Sequence, residues 1–362
     1  MGIISRVAEF RQQRGVSVGD LAALTGVTRQ AIHAMERGGY APNTAVALQL
    51  ARVLRTSVDE LFQLSDAAEP VRTEAVRLLP GAETTVGQPV HLARLDGQYS
   101  AVPVPPVSWY LPAGDGVLSG SDQVQVFDAR AEFENRVLIA GCDPGMGVLS
   151  KHMGAADAVL VHRNSSEALA LVDAGLVHMG GMHWRYEEGV EDGNLSAAKA
   201  CSSSGDIAVI SYATWREGLC MAPGNPKGIR SVADLARPDV RMVNREPGAG
   251  TRRLLDRQLE LAGIAVDLVQ GYNHAVRGHL PAAWHVHSGS ADVCVATEAA
   301  ARAFGLEFLP LADSRYDLAV RTSVLGLPGV QKVLEVLSRG VFRRQLEALG
   351  GYDTRVTAQR VL

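Results

Sequence analysis

The stretch Val243–Asp256, VNREPGAGTRRLLD, decides how the C-terminal half of this chain reads. Its lead-in, Val240, Met242 and Val243, has the apolar character of a buried strand. Gly248-Ala249-Gly250 and Thr251 follow, then a run in which Leu254, Leu255 and Leu259 share a helical face. A strand, a glycine turn and a helix in that order leave the first helical N–H groups without intrahelical partners, where the macrodipole favours negative charge. Gly248 and Gly250 let the backbone come close to a ligand, and Thr251 adds a hydroxyl donor. Arg245, Arg252 and Arg253 add guanidinium forks suited to oxyanions. The expectation is an anion pocket. The competing reading is an ordinary strand–helix turn with surface arginines.

Around this stretch, strands and helices alternate over residues 136–362. Apolar runs at 136–140, 158–161, 177–181, 207–210, 218–221, 291–295 and 317–320 read as strands. One last helix is expected to carry Val330, Val333, Leu334, Leu337, Val341 and Phe342. Such alternation argues for parallel sheets faced by helices. Three turns carry small polar or glycine residues: Gly141–Asp143, Asn164–Ser166 and Gly248–Thr251. Ligands in open α/β sheets bind beyond the carboxyl ends of strands, so two lobes facing each other make a cleft that closes about a hinge.

The segments AGCDPGMGVL, RNSSEALALVDAGLVHMGG, APGNPKGIRSVADLARPDVRMVNREPGAGTRRLLD, SGSADVCVATEAAARAFGLEFLPL, SRYDLAV and LEALGGYD keep one order over residues 136–353. Together they resemble the cytoplasmic PBP-like substrate-binding domain of bacterial one-component regulators. That domain is similar to molybdate- and tungstate-binding proteins, which hold a tetrahedral oxyanion with hydroxyls and backbone N–H groups. The resemblance implies a bilobal α/β periplasmic-binding-protein-like fold. It implies ligand contacts from Ser165, Ser166, Arg245, Gly250 and Thr251, and more weakly from Cys142 and Asp143. Asp143 beside a dianion is unfavourable unless it caps a helix.

Residues 1–64 are helical in pattern. Ile4, Val7, Ala8 and Phe10 suggest a first helix ending near Gly15. Ser17 with Asp20 is an acidic variant of the capping box, and Gly26-Val27 makes a turn. Thr28 and Asn43 are N-caps, and Ser57 with Glu60 is a capping box. The run GVSVGDLAALTGVTRQAIHAMERGGYAPNTAVALQLARVLRTSVDELF resembles the phage-repressor (Xre/Cro/CI-type) helix-turn-helix family. The resemblance implies that the third helix enters a major groove of operator DNA. Thr28, Arg29, Gln30 and His33 then face the DNA, with Arg29 and Gln30 on base edges and Arg37 on phosphate. A small half-site implies a homodimer. The alternative is a helical bundle used only for protein contacts.

Residues 65–135 read as a β-rich connector. Pro80-Gly81, Gly87, Gly97, Pro103, Pro105-Pro106, Pro112, Gly114, Gly116 and Gly120 punctuate short runs such as 91–95 and 124–127. Some 70 residues are too long for a structureless link inside a compact protein. Trp109 and Tyr110 are expected to pack.

Composition bounds the rest. At 362 residues two or three domains are expected, and a net charge of −4 confines any DNA contact to a local patch. Cys142, Cys201, Cys220 and Cys294 are scattered, as in a reduced intracellular protein. No signal-type or membrane-spanning run is present, so a cytoplasmic protein without membrane contact is expected. His274, His279, His285 and His287 crowd one stretch but form no HExxH pattern, so no metal is expected. His178 or His279 is the histidine expected near the cleft. Without a GxSxG elbow or a P-loop, catalysis is not expected either. The function read here is a one-component regulator that binds operator DNA and senses a small anion, molybdate or tungstate, with no resident cofactor. The alternatives are a molybdenum-cofactor-type or other organic anion, or a C-terminal domain that is only structural.

Overall fold

The computed structural model describes residues 2–65, 72–81, 84–105, 113–128, 133–154, 157–184, 192–201 and 206–362. Trp109 and Tyr110, expected from the sequence to pack, lie outside them. The chain forms two compact units, Met1–Val71 and Arg72–Leu362.

The first unit opens with β1 (Gly2–Ser5). It continues through α1 (Val7–Gln13), α2 (Val18–Thr25), α3 (Arg29–Glu36), α4 (Thr44–Leu54) and α5 (Val58–Leu61), and closes with β2 (Phe62–Ser65). Ile4 is therefore not helical: it pairs with Gln63 across an antiparallel ribbon of β1 and β2. The i, i+3 spacing of Ile4 and Val7 mimics a helix, but pairing with a segment sixty residues away overrides it. Thr28 and Asn43 cap as expected, accepting from Ala31 N (3.1 Å) and Val46 N (3.0 Å). Ser57 and Glu60 close a full capping box. Ser17 accepts from Asp20 N, but Asp20 takes the Ser17 hydroxyl (2.6 Å) rather than its N–H, being one methylene shorter than glutamate. Leu21, Ile32, Met35, Leu50, Leu54 and Leu61 fill the core.

The second unit begins with a closed barrel of β3 (Arg72–Leu78), β4 (Pro89–Leu95), β5 (Gln98–Pro103), β6 (Gly116–Leu118) and β7 (Gln123–Val126). Its strand order is β3-β5-β4-β6-β7. Asp96 and Gly97, both at positive φ, make the tight turn between β4 and β5. Gly116 is required where β6 meets β7, since a Cβ there would lie 2.4 Å from Gln125 O.

The α/β body follows, with β8 (Val137–Gly141), α6 (Met146–Met153), β9 (Ala158–His162), α7 (Ser165–Asp173), β10 (Met179–Met182) and α8 (Gly193–Cys201). Next come β11 (Ile207–Met221), β12 (Met242–Arg245), α9 (Gly250–Leu261), β13 (Ala275–Val276), α10 (His279–His287) and β14 (Val293–Thr297). The body ends with α11 (Glu298–Ala303), β15 (Glu307–Arg321), α12 (Pro328–Ser338), α13 (Gly340–Ala348) and β16 (Tyr352–Asp353).

The strand order is β13-β12-β14-β11-β15-β10-β8-β9, with β16 beside β11. One lobe is parallel at β10-β8-β9, the other at β13-β12-β14. Between them β11 and β15 run antiparallel over their full length. Residues 207–221 form one long strand, not two, and the last helix divides into α12 and α13 because Arg339 is extended. The register of β11 against β15 shifts at Ser211/Ala213 and at Glu217/Gly218, where the pair passes from lobe to lobe.

The barrel is bonded to the β8-β10 lobe. Arg77 Nη2 donates to Gly175 O (2.6 Å), Arg321 pairs with Asp96 (2.6 Å), and Leu79, Ala93 and Val102 share a core with Leu138, Ala140 and Val172. His178 completes the joint: Nδ1 accepts from Leu138 N (3.1 Å) and Nε2 meets Arg94 O (3.2 Å). Burial lowers its pKa to about 4, keeping the ring neutral. His178 is thus a joint residue and not a cleft residue.

Candidate ligand-binding site

Each parallel strand of the two lobes ends at the line where the lobes meet. β8 delivers Cys142 and Asp143, β9 delivers Asn164 and Ser165, and β10 delivers His183. From the other lobe β12 delivers Arg245 and Glu246, and α9 and α10 begin there with Thr251 and His279. All are buried. The turns converge because every crossover returns to the same edge of its sheet.

At the centre His183 Nε2 lies 3.4 Å from Glu217 Oε1, and Nδ1 lies 3.4 Å from Ser165 Oγ. Thr251 Oγ1 donates to Glu217 Oε1 (2.6 Å) and stands 3.4 Å from His183 Nε2. His183 N donates to Ser165 Oγ (3.2 Å), and the indole of Trp215 packs edge-on against the imidazole. Burial opposes both charges, yet Glu217 outweighs it and raises His183 to about 10. Glu217 in turn falls well below the carboxylate range: burial works against this, and His183 overcomes it.

Arg245 sits at 1% exposure and bonds Glu246 through Nε (2.8 Å) and Nη2 (3.1 Å), while Nη1 has no hydrogen-bond partner among the described residues. Cys142 Sγ lies 3.8 Å from His279 Nε2, whose Nδ1 is also unpartnered. Burial and then Arg245 push His279 well below the usual imidazole range. Asp143 does not cap α6: its Oδ1 accepts from the N–H of the N-cap residue Gly145 (2.8 Å) and from the Tyr352 hydroxyl, and no side chain bonds a first-turn N–H of that helix. Burial of Asp143 raises the carboxyl to about 6 against those bonds and the neighbouring Tyr212 hydroxyl, and Oδ2 has no partner within hydrogen-bond distance among the described residues.

The lobes touch directly. Asn164 Nδ2 donates to Pro247 O (3.3 Å) and Ser166 Oγ to Gly248 O (3.4 Å). Gly250 packs so closely on His183 that a Cβ would lie 2.3 Å from His183 O. A cavity of about 250 Å³ opens beside this line, walled by Cys142, Asp143, Met146, Leu160, His162 and His279 among others.

The expected residues thus assemble, but with altered duties. Ser165 and Thr251 serve His183 and Glu217; Arg245 is held by Glu246; Gly250 is a packing position; Ser166 ties the lobes together. Arg252 and Arg253 lie outside the cluster, over Tyr272 (4.7 Å) and Trp184 (5.5 Å). Sequence reasoning missed His183, Glu217, Glu246, Trp215 and Tyr352 as members of the site. Glu217 left a signal: Arg216-Glu217 interrupts the apolar run ISYAT…GLCM, and a charge inside a buried strand demands a partner. No group of three metal-ligating side chains occurs among the described residues.

In the first unit Thr28, Arg29, Gln30, His33 and Arg37 are all exposed, along the start, face and end of α3, opposite the buried Ile32 and Met35. Arg29 lies over Gly19 of α2, where a Cβ would be 3.0 Å from its guanidinium.

The helix-turn-helix family pattern matches residues 7–61, and the PBP superfamily domain pattern matches residues 147–338. The chain belongs to the PBP-like superfamily and carries a helix-turn-helix DNA-binding domain in front of that domain. It is 32% identical over 241 residues to the uncharacterized protein YvgK of Bacillus subtilis, covering 66% of this chain and 77% of that one. An uncharacterized HTH-type transcriptional regulator of Archaeoglobus fulgidus is 36% identical over 62 residues, 17% of this chain and 89% of that one. Among solved structures, the sulfate-binding protein SubI of Mycobacterium tuberculosis aligns with a TM-score of 0.44 at 15% identity, covering 60% of this chain and 86% of that one. A putative phosphate transporter substrate-binding protein of Clostridium perfringens, with phosphate bound, aligns at 0.44 and 13% identity, covering 59% and 98%. Among the described residues no helix is long and apolar enough to cross a membrane.

Proposed function

We propose that this chain is a cytoplasmic one-component transcription regulator that binds operator DNA as a homodimer and senses a small anion between the lobes of its PBP-like domain. It works by binding and not by catalysis. The observation that carries the reading is the meeting of five strand-to-helix turns around buried groups that lack hydrogen-bond partners among the described residues, Arg245 Nη1 and His279 Nδ1. A buried guanidinium nitrogen without an acceptor is costly unless a ligand supplies one. Closure of the lobes on ligand, through β11 and β15, is the switching motion, and its size in free energy is the ligand's differential affinity for the two arrangements.

Molybdate and tungstate are the inorganic anions to test first. A larger organic anion is favoured by one observation. Glu217 already occupies the hydroxyl cradle of Thr251, whereas the open cavity lies on the side of Cys142 and His279.

The test is thermal unfolding of the full chain with molybdate, tungstate, sulfate, phosphate, a panel of organic acids, or nothing. A ligand at about 100 times its Kd stabilises by roughly 2.7 kcal/mol. A shift with any anion, lost in Arg245→Met, supports the reading; no shift with any of them rejects it.

A further inference from the structure

The groups around Thr251 have the chemistry of an anion site: a charged imidazole, a hydroxyl donor and the start of a long helix. The imidazole is His183, kept protonated by Glu217 against its burial. Thr251 lies in the first turn of α9, a helix of 12 residues whose N-cap, Ala249, offers its N–H groups no side-chain acceptor. A carboxylate of the chain itself fills the place between them. Glu217, 1% exposed, takes the Thr251 hydroxyl on Oε1 at 2.6 Å, and the same oxygen lies 3.4 Å from His183 Nε2. The local path of β11 aims it there. The register of β11 against β15 shifts between Glu217 and Gly218, and a bulge of this kind re-aims a side chain. Gly218 suits the shift, since a Cβ there would lie 2.2 Å from Leu309 O.

The same oxygen joins the lobes. His183 follows β10 in one lobe and Thr251 belongs to the other, and Asn164 on Pro247 and Ser166 on Gly248 close the seam beside them. A ligand that closes two lobes about a hinge makes bridging contacts of this kind. We propose that Glu217 is a built-in anion: its carboxylate holds the place that a free oxyanion would take between His183 and Thr251, latches the lobes closed without ligand, and shuts small inorganic oxyanions out of that place. The proposal deepens the anion-sensing reading above, on which its regulatory meaning rests: an effector anion binds beside this carboxylate and not in its stead.

The experiment returns the anion from solution. Glu217→Ala removes one methylene and the carboxylate, the outline of an acetate ion. Glu217→Ser opens nearly the same space and is read in the same way, and Glu217→Gln keeps the space filled. The full chain and its variants are unfolded thermally with acetate, formate, neutral acetamide, sulfate, molybdate, tungstate or chloride at equal ionic strength. Acetate and formate should raise the midpoint of Glu217→Ala and Glu217→Ser saturably, by at least about 2 °C, and acetamide should not. The wild type and Glu217→Gln should respond to none of these probes. Hydrogen exchange of residues 247–251 should be faster in Glu217→Ala than in the wild type, and slow again with acetate.

Failure of acetate and formate to stabilise or refold either opened variant overturns the proposal, as does an equal response of the wild type or unchanged exchange at 247–251. Stabilisation of the wild type by sulfate, molybdate or tungstate overturns it and leaves the anion-sensing reading standing. Rescue of the opened variants, with no response of the wild type to any anion including the panel of organic acids, supports the built-in anion and rejects that reading.

Discussion

His183 and Glu217 form a buried ion pair, 3.4 Å apart, in which the histidine comes from the end of one lobe and the glutamate from the long strand that crosses to the other. Thr251 of the second lobe donates to the same carboxylate oxygen, so three segments far apart in sequence meet on one atom. Removing one partner of a buried pair costs about 3–5 kcal/mol, because the other charge is left stranded or must be neutralised. Glu217→Ala is expected to cost about 3 kcal/mol in urea unfolding, and Thr251→Ala about 1 kcal/mol for one hydrogen bond.

The same pair sets an alkaline limit. The raised pKa of His183 means that its contribution is whole below about 6.5 and is lost as pH rises through about 10. The lowered pKa of Glu217 means that its contribution is whole above its ordinary value near 4.5 and is lost as pH falls below it. The unfolding midpoint should therefore fall from pH 7 to 10. That slope should flatten in Glu217→Ala; an unchanged slope would assign it to other groups.

His178 sets an acid limit at the barrel joint. Its folded pKa of about 4 lies below the unfolded value of 6.5, so its contribution is present above 6.5 and is lost as pH falls through 4. His178→Ala leaves Leu138 N and Arg94 O without partners at about 1–3 kcal/mol each. The protection factor of the Leu138 amide, its exchange rate corrected for the intrinsic pH dependence, should fall on acidification below 6.5, and should be low at every pH in the variant.

Arg245→Met should abolish anion-induced stabilisation while keeping the volume of the side chain. Glu246 then loses its bidentate partner, so unfolding in buffer alone should also shift downward. Isothermal titration separates the two effects, since only the first removes the heat of binding.

On DNA, Arg29→Ala should cost about 1–3 kcal/mol and relax base preference at one position, whereas Arg37→Ala should weaken all sequences alike and reduce the salt slope by about 1. Mobility shifts against a selected site and its single-base variants distinguish these outcomes.

Much of the architecture was legible in the chain itself. Thr28, Asn43 and Ser57 announce helix starts because a cap is a contact across three residues, wholly contained in a short word of sequence. The glycine turn at 248–250 follows a strand and opens a helix for the same reason. Helical periodicity failed where the partner was remote, as for Ile4, or where a break needed a fixed backbone, as at Arg339.

The two domain types, the alternation of strands and helices in the α/β body apart from the single strand at 207–221 and the break at Arg339, and the set of turns that carry polar residues follow from the chain alone, since each depends on neighbours within a few positions. What those polar residues face is set by long-range packing. Whether Thr251 offers its hydroxyl to a ligand or to Glu217, and whether Arg245 is free or held by Glu246, depends on where a charge 34 residues away in sequence, or a turn's local path, comes to rest. A buried charge takes the nearest partner that folding brings to it, and that nearness is a property of the closed sheet and not of the chain.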